Sequence, residues 1–241
     1  MTTFLSPLTL DFLWESLDAG EPPYPLAVRS HGATVDERSV LRQQVFGELR
    51  DRAMLDGHGR VAPDLEDWLA LLARADRSID SVFRPADGPP VAALSVAAGS
   101  RALLATQTPE GLWLRPVDAG ALASSVVDLL PPAPRGTEPS ITVASEDLPH
   151  GRSAADRRVL SHFATQRNHR AGQLAVNARK PMGGRSRSPV LSWFDTDTGR
   201  YLTYARTGRD GHEWITIAPA DPPALRARLT ELLTTVTGNR P

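Results

Sequence analysis

The sequence predicts an α+β fold built from antiparallel strands and amphipathic helices in two related halves. The connections between successive strands are too short to hold crossover helices, so neighbouring strands should run antiparallel. One order of elements (helix, four strands, helix) also occurs twice along the 241 residues. The apolar fraction of 41% is enough to bury a core, and 21 prolines and 18 glycines are typical of many short elements.

Two helices are predicted ahead of the first half. The first has apolar residues at helical spacing, at Leu10, Leu13, Trp14 and Leu17. The second begins with a capping box formed by Thr34 and Glu37, because each side chain can satisfy a free amide of the first turn. This second helix should extend to about Met54.

The first half spans residues 62–132. A helix with a stripe of leucines precedes four short extended runs, at residues 78–84, 91–97, 101–106 and 112–116. A closing helix is predicted from Asp118 as N-cap, burying Leu122, Val126 and Leu129 and ending before Pro131.

The second half spans residues 153–237 and repeats the order. Ser153 and Asp156 begin its first helix, and its strands are predicted at residues 172–179, 189–194, 200–207 and 213–218. Asp221 caps the last helix, with Pro222 at the first helical position, where no backbone N–H is needed.

Several residues of the two halves are separated by the same distance along the chain: Pro116 and Pro219, Asp118 and Asp221, Leu122 and Leu225, and Leu129 and Leu232. This favours a diverged duplication, with the strands joined in one sheet about a pseudo-twofold axis inside a single domain, 1–241. The alternative is two ordinary antiparallel units that share common cap chemistry.

The amino-acid composition excludes several classes of protein and of functional site. With 27 basic and 28 acidic residues the net charge is -1, which argues against nucleic acid as the main partner. The absence of cysteine excludes a disulfide framework, a thiolate nucleophile and Cys-ligated metal. The N-terminus lacks the pattern of a signal peptide, and no run approaches the ~20 apolar residues of a membrane helix. We therefore expect a cytoplasmic protein with no membrane insertion.

The sharpest enzymatic candidate is Asp195-Thr196-Asp197-Thr198, directly after an apolar run. Phosphatases of the haloacid dehalogenase type use a strand ending in D-x-D-x-T, with the first carboxylate as nucleophile. That fold needs further parallel strands downstream, and little chain follows Asp197. The other interpretation is a hairpin turn in which Gly199 adopts positive φ. His162 and His169 have no third ligand nearby, so neither a metal nor a cofactor is expected.

A basic segment lies at residues 179–188, where Arg179, Lys180, Arg185 and Arg187 flank Met182 and two glycines. It fits a phosphate, RNA or acidic protein ligand, or simply a solvated hairpin tip. It contains no aromatic residue to stack on bases.

Residues along nearly the whole chain resemble the EspG family of ESX (type VII) secretion-associated chaperones of actinobacteria. The resemblance is carried by Leu13-Trp14-Glu15, Tyr24-Pro25-Leu26, His31-Gly32-Ala33-Thr34, Leu129-Leu130-Pro131-Pro132, Trp193 with Asp195-Thr196, Gly199-Arg200-Tyr201, and Trp214 followed by Ala218-Pro219-Ala220.

The resemblance implies a central antiparallel sheet with pseudo-twofold halves, flanked by N-terminal and C-terminal helical bundles. It also implies a non-catalytic protein, monomeric or weakly dimeric, that binds PE–PPE heterodimers in the cytoplasm. Such a chaperone covers the apolar helical tip of the PPE protein and presents it for export; another helical-hairpin secretion substrate is the alternative partner.

The implied contacts come from a loop between early strands and from the C-terminal helical region. Here they fall on the loop residues Pro85, Ala86, Asp87, Gly88 and Pro89, on its counterpart residues Arg179, Met182, Arg185 and Arg187, and on Leu229 and Leu233 of the last helix. A phosphatase at Asp195 and Asp197 and a nucleic-acid binder at residues 179–188 remain the alternative hypotheses.

Overall fold

The computed structural model describes residues 2–148, 153–180, 183–209 and 211–238. Its helices are α1 (Pro7–Ser16), α2 (Val35–Asp51), α3 (Pro63–Arg74), α4 (Leu122–Val127), α5 (Ala154–Thr165) and α6 (Pro222–Thr237). Its strands are β1 (Thr3–Leu5), β2 (Arg77–Arg84), β3 (Val91–Ala98), β4 (Arg101–Thr108), β5 (Gly111–Pro116), β6 (Ile141–Ala144), β7 (Arg170–Arg179), β8 (Arg185–Arg187), β9 (Leu191–Thr196), β10 (Gly199–Thr207) and β11 (Glu213–Pro219). A short 3-10 helix lies at Ser145–Asp147.

The fold class is α+β with extensive antiparallel sheet, as predicted. The chain divides into two compact units: unit 1 comprises Met1–Ser78 and Ala92–Leu122, and unit 2 comprises Ile79–Val91 and Ala123–Pro241. No helix of the described residues is both long enough and apolar enough to span a bilayer.

Unit 1 packs its three N-terminal helices with strands in the order β1-β5-β4-β3, and each neighbouring pair is antiparallel. The apolar stripes of α1 and α3 enter the core, where Phe12, Leu13 and Leu69 are fully buried. Helix α2 buries Val45 and Leu49 in that core and packs Leu41 and Phe46 partly buried against it, while the rest of its surface is largely exposed.

Unit 2 has the strand order β2-β7-β9-β10-β11-β6, and the three-residue strand β8 pairs with β7 outside this path. Helix α6 packs against β7 and β8. Leu225 and Leu229 of α6 are fully buried, as are Val176 and Trp193 of the sheet, so one side of α6 belongs to the core.

Local capping rules predicted three of the helix starts. Thr34 and Ser153 form complete capping boxes with Glu37 and Asp156, and the Asp221 carboxylate accepts a hydrogen bond from the Ala224 amide at 2.9 Å. The prediction for Asp118 was wrong, because α4 begins only at Leu122. Gly120, a poor helix former, lies between them. Leu130, rather than the predicted Leu129, is the buried leucine that follows α4.

The predicted order of elements is present in both halves. Helix α3, strands β2 to β5 and helix α4 form the first series, and α5, β7, β9 to β11 and α6 form the second. The difference is β8, a strand inside the segment that we expected to be a loop.

Candidate partner-binding surface

The first predicted contact segment, residues 85–90, connects β2 to β3. Ala86, Asp87, Gly88 and Pro89 are exposed, and Pro85 is partly buried. Gly88 has a φ of 113°, a backbone conformation that favours glycine. The segment is therefore a short exposed turn, with one acidic side chain and little apolar surface.

The second predicted segment, residues 179–188, contains the short strand β8. β8 pairs with the end of β7, placing Arg185 opposite Arg179 and Arg187 opposite Asn177. At the base of this hairpin the Ser188 amide donates to the Val176 carbonyl at 2.8 Å, and the Val176 amide donates to the Ser188 hydroxyl at 3.0 Å. We call the described residues 179–180 and 183–188 of this segment the basic hairpin. Met182 lies outside the described residues.

Backbone hydrogen bonds join Lys180 to the two glycines of the basic hairpin. The Lys180 amide donates to the Gly184 carbonyl, and the Gly183 amide donates to the Lys180 carbonyl, both at 3.0 Å. Gly183 and Gly184 have positive φ values of 89° and 79°. Glycine adopts such positive φ values without the steric cost that a side chain would add.

Arg187 was predicted to contact the partner, but its guanidinium binds within unit 2. It donates to both carboxylate oxygens of Asp80, at 2.5 and 3.0 Å, and to the Asn177 side-chain oxygen at 3.0 Å. Arg179, Lys180 and Arg185 are exposed and form no ion pair with any residue that the structure describes. These three side chains remain available to a ligand.

On the last helix, one predicted contact is wrong and one stays a prediction. Leu229 is fully buried in the core of unit 2, so it has no surface to offer a partner. Leu233 is half-buried. Beside α6 lies a groove of about 320 Å³ whose lining includes Leu191, Tyr204 and Leu232.

A contact between Arg228 and Tyr204 in this groove was not predicted from the sequence. The Arg228 guanidinium lies 4.1 Å from the Tyr204 ring centroid and 2.5 Å from the Glu231 carboxylate. Both side chains look ordinary in sequence, and only the packing of α6 beside β10 brings them together.

Asp195 and Asp197 occupy a β9–β10 hairpin, as the turn interpretation predicted. Asp195 is 3% exposed and binds Arg200 through Nε at 2.7 Å and Nη2 at 2.9 Å. Arg170 binds it from the other neighbouring strand at 2.8 Å. A carboxylate held by two guanidinium groups is a poor nucleophile, and β9 is antiparallel to both neighbours. The phosphatase hypothesis therefore finds no support at this site.

His162 and His169 each lie beside a single carboxylate. His169 Nε2 lies 2.5 Å from Asp197 at the hairpin turn, and His162 Nε2 lies 3.2 Å from Glu138. Within the part of the chain that the structure describes, no three His, Cys, Asp or Glu side chains are placed to hold a metal ion.

Comparison with known proteins identifies the family. The sequence model of the EspG family matches residues 6–231. This chain belongs to the EspG family. Its fold is similar to that of the type VII secretion system chaperone EspG5 of Mycobacterium tuberculosis, solved in complex with a PE25-PPE41 dimer, with a TM-score of 0.75. That match has 13% sequence identity and covers 98% of this chain and 97% of the other. No curated protein matches the sequence significantly.

Several residues that carry the EspG resemblance stabilise the fold. Trp14 Nε1 donates to the Gly20 carbonyl at 2.7 Å, and the Tyr201 hydroxyl accepts from the amides of Thr137 and Glu138 at 3.1 and 3.0 Å. Gly199 has a φ of 113°, and a Cβ there would lie 2.7 Å from the Arg135 carbonyl oxygen. These residues therefore identify an EspG fold without marking a partner surface.

Proposed function

We propose that this EspG chain is a cytoplasmic chaperone of type VII (ESX) secretion. It binds a PE–PPE heterodimer or a similar helical-hairpin substrate, covers the apolar tip of that substrate and presents it for export, and it catalyses no reaction. The observation that carries this proposal is the match along almost the whole chain to EspG5, whose structure was determined with a PE25-PPE41 dimer bound.

The proposed contact surface belongs to unit 2. It comprises the loop 85–90, the basic hairpin and the exposed side of α6 around Leu233. These segments combine exposed cations with apolar and aromatic groups, as in the groove beside α6. A reversible complex requires such a mixed surface, because purely apolar interfaces resemble permanent ones. Covering the apolar tip removes from solvent a patch that would otherwise promote aggregation.

We also propose that the halves 62–132 and 153–237 arose by duplication within one domain, 1–241, and are related by a pseudo-twofold axis. The repeated order of elements supports this proposal. Helical bundles on either side of the sheet stay a prediction; the contact between α1 and α2 supports the N-terminal one.

Coexpression tests the proposed function. An affinity-tagged chain is produced together with PE–PPE pairs from the same genome, and the complexes are sized by light scattering after gel filtration. We expect one pair to copurify as a 1:1:1 complex. If every pair elutes without the chain in mild buffer, the proposed function is wrong.

A charge-reversal variant locates the surface in the same experiment. The double change Arg179→Glu with Arg185→Glu should weaken recovery of the PE–PPE pair, whereas Arg50→Glu, at an exposed position on α2, should not. Equal recovery with all three proteins would place the interface elsewhere in the chain.

A further inference from the structure

Asp80 is a buried carboxylate at a position where filling the core does not require a charged side chain. It lies in β2, is 2% exposed, and accepts hydrogen bonds from the Asn177 amide at 2.8 Å and from both terminal nitrogens of Arg187. Removing a carboxylate from water is costly, and apolar residues of similar volume often serve a core equally well. The specific consequence of Asp80 is the fixed position of Arg187.

Arg187 is one of three residues of β8, and three residues make a weak strand. Two anchors hold this strand: the bidentate pair of Arg187 with Asp80, and the two hydrogen bonds between Ser188 and Val176. Both anchors lie at the C-terminal end of the hairpin. They hold the base of the hairpin and do not involve the exposed side chains of Arg179, Lys180 and Arg185.

The exposed end of the basic hairpin is electrostatically unfavourable in the isolated chain. Arg179 and Arg185 are directly opposite each other in the β7–β8 register, and Lys180 follows Arg179. Like charges at opposed positions of two strands repel each other. None of the three forms an ion pair with a described residue, so no described carboxylate offsets this repulsion and a negatively charged ligand would relieve it.

We propose that the basic hairpin is an electrostatic docking element: Asp80 positions it through Arg187, and Arg179, Lys180 and Arg185 bind an acidic patch on the partner protein. This inference rests on the proposed function and names the chemistry of the partner surface. The hairpin residues that the structure describes include no aromatic side chain for base stacking, which argues against nucleic acid, and their three clustered cations are complementary to a negatively charged protein surface. An acidic protein surface is therefore the partner.

Hydrogen exchange of the free chain tests the positioning role without any partner. In Asp80→Asn, amides of residues 183–188 should exchange about tenfold faster or more, because the anchor of β8 is lost. Arg187→Lys keeps the charge but loses the bidentate geometry, and should give a smaller increase at the same amides. Asp67→Asn removes an exposed ion pair of unit 1 and serves as the control. Unchanged exchange at residues 183–188 in both hairpin variants would overturn the positioning role.

Binding tests the docking role, with the PE–PPE dimer recovered by coexpression as the probe. Arg179→Glu with Arg185→Glu should raise the Kd about tenfold or more and flatten its dependence on salt. Asp80→Asn should raise the Kd as well, and the charge reversal should then have a smaller additional effect. A merely structural Asp80 would leave the salt dependence unchanged, which would overturn the proposal.

Two further outcomes separate the competing explanations. If a uridine oligonucleotide binds the chain and the same charge reversal abolishes that binding, the hairpin recognises nucleic acid and the proposal is overturned. If the wild-type chain binds no PE–PPE dimer, the proposed function fails and the docking role fails with it. Hydrogen exchange still decides in that case whether Asp80 positions the hairpin.

Discussion

At the scale of single residues, Asp195 is bound on both sides by its neighbours in the sheet. Arg200 lies opposite it on β10 and Arg170 lies opposite it on β7. The Arg200 guanidinium also lies 4.4 Å from the Trp193 ring centroid and donates to the Pro131 carbonyl at 2.7 Å. Asp195 thereby links three strands, and Arg200 links them to the segment after α4.

Asp195→Asn should destabilise the chain by about 3 kcal/mol or more, because it leaves Arg200, itself 2% exposed, with uncompensated charge. Urea denaturation followed by tryptophan fluorescence measures this loss. Asp197→Asn is the matched control at the exposed turn, where losing the pair with His169 should cost about 1 kcal/mol or less. Equal losses in the two variants would contradict the assignment.

Gly172 occupies a position where no side chain fits. A Cβ there would lie 2.6 Å from the Phe83 Cβ and 2.8 Å from the Val82 carbonyl oxygen. Gly172→Ala should therefore destabilise the chain by about 1–3 kcal/mol, as overpacking does. Gly47→Ala is the control of opposite sign, since that helical glycine has open space around it and should gain about 0.5–1 kcal/mol. Thermal unfolding compares the two variants.

At the scale of elements, the cap of α6 depends on one side chain. Asp221 accepts from the Ala224 amide and pairs with Arg135 at 2.9 Å. The Ala224 hydrogen bond outweighs the effect of burial and, with Arg135, lowers the pKa of Asp221. The carboxylate that caps this helix is therefore charged at neutral pH.

Asp221→Ala should cost about 1 kcal/mol of stability at pH 7, the usual loss when an N-cap is removed. The proposed repeat suggests a control: Asp118→Ala, at the corresponding position of the first half, should change the free energy of unfolding by less, because α4 begins only at Leu122. A larger loss for Asp118→Ala would contradict the different roles of the two positions.

A second ionic contact between elements joins α1 to the start of α2. Asp11, 5% exposed, accepts from the His31 amide at 2.7 Å and from Arg38 at 3.1 Å. Burial raises the pKa of Asp11, but the hydrogen bonds from Arg38 and the His31 amide, together with the Arg38 charge, bring that pKa below the usual aspartate value.

The lowered pKa of Asp11 predicts acid sensitivity with a definite sign. A carboxyl group whose pKa is lower in the folded state stabilises the chain above its unfolded pKa of about 3.9, and this contribution disappears as pH falls through the folded pKa. Asp11→Asn should therefore lower the free energy of unfolding at pH 7. It should also reduce the loss of stability on acidification from about pH 5 to about pH 3, the range in which an ordinary aspartate titrates. Urea denaturation across this range measures both effects; a mutant loss on acidification as steep as that of the wild type would contradict the prediction.

At the scale of the whole molecule, turn and capping patterns predicted the helices and strands better than they predicted the side-chain contacts between them. Turn and cap chemistry identified the Asp197–Gly199 hairpin and the start of α6, because those signals lie within a few residues. Once that hairpin is assumed, its register alone places Arg200 opposite Asp195. The pairing of Asp80 with Arg187 joins residues far apart in sequence, so no local pattern revealed it, and β8 was missed with it.

The partner surface was the hardest part to predict, for a physical reason. Periodicity marks the buried side of α6 through Leu225 and Leu229, and burial is what removes Leu229 from any interface. Arg179, Lys180 and Arg185 differ from Arg187 in having no carboxylate of a described residue beside them. Only the folded chain, and not the sequence, shows which cation has such a neighbour. Composition indicated the charge of this segment but not which of its charges were already paired.

The last prediction concerns the stoichiometry of chaperoning. If the chain acts by covering one apolar tip, a PE–PPE dimer that aggregates alone should stay soluble when one chain per dimer is present, and light scattering should fall in proportion to the amount added. No nucleotide should be needed, since the protection comes from binding alone. Arg179→Glu with Arg185→Glu should require an excess of chain for the same protection, whereas Arg50→Glu should match the wild type. Full protection at amounts well below one chain per dimer would instead indicate a catalytic or disaggregating activity, and would contradict a chaperone that acts by covering its substrate.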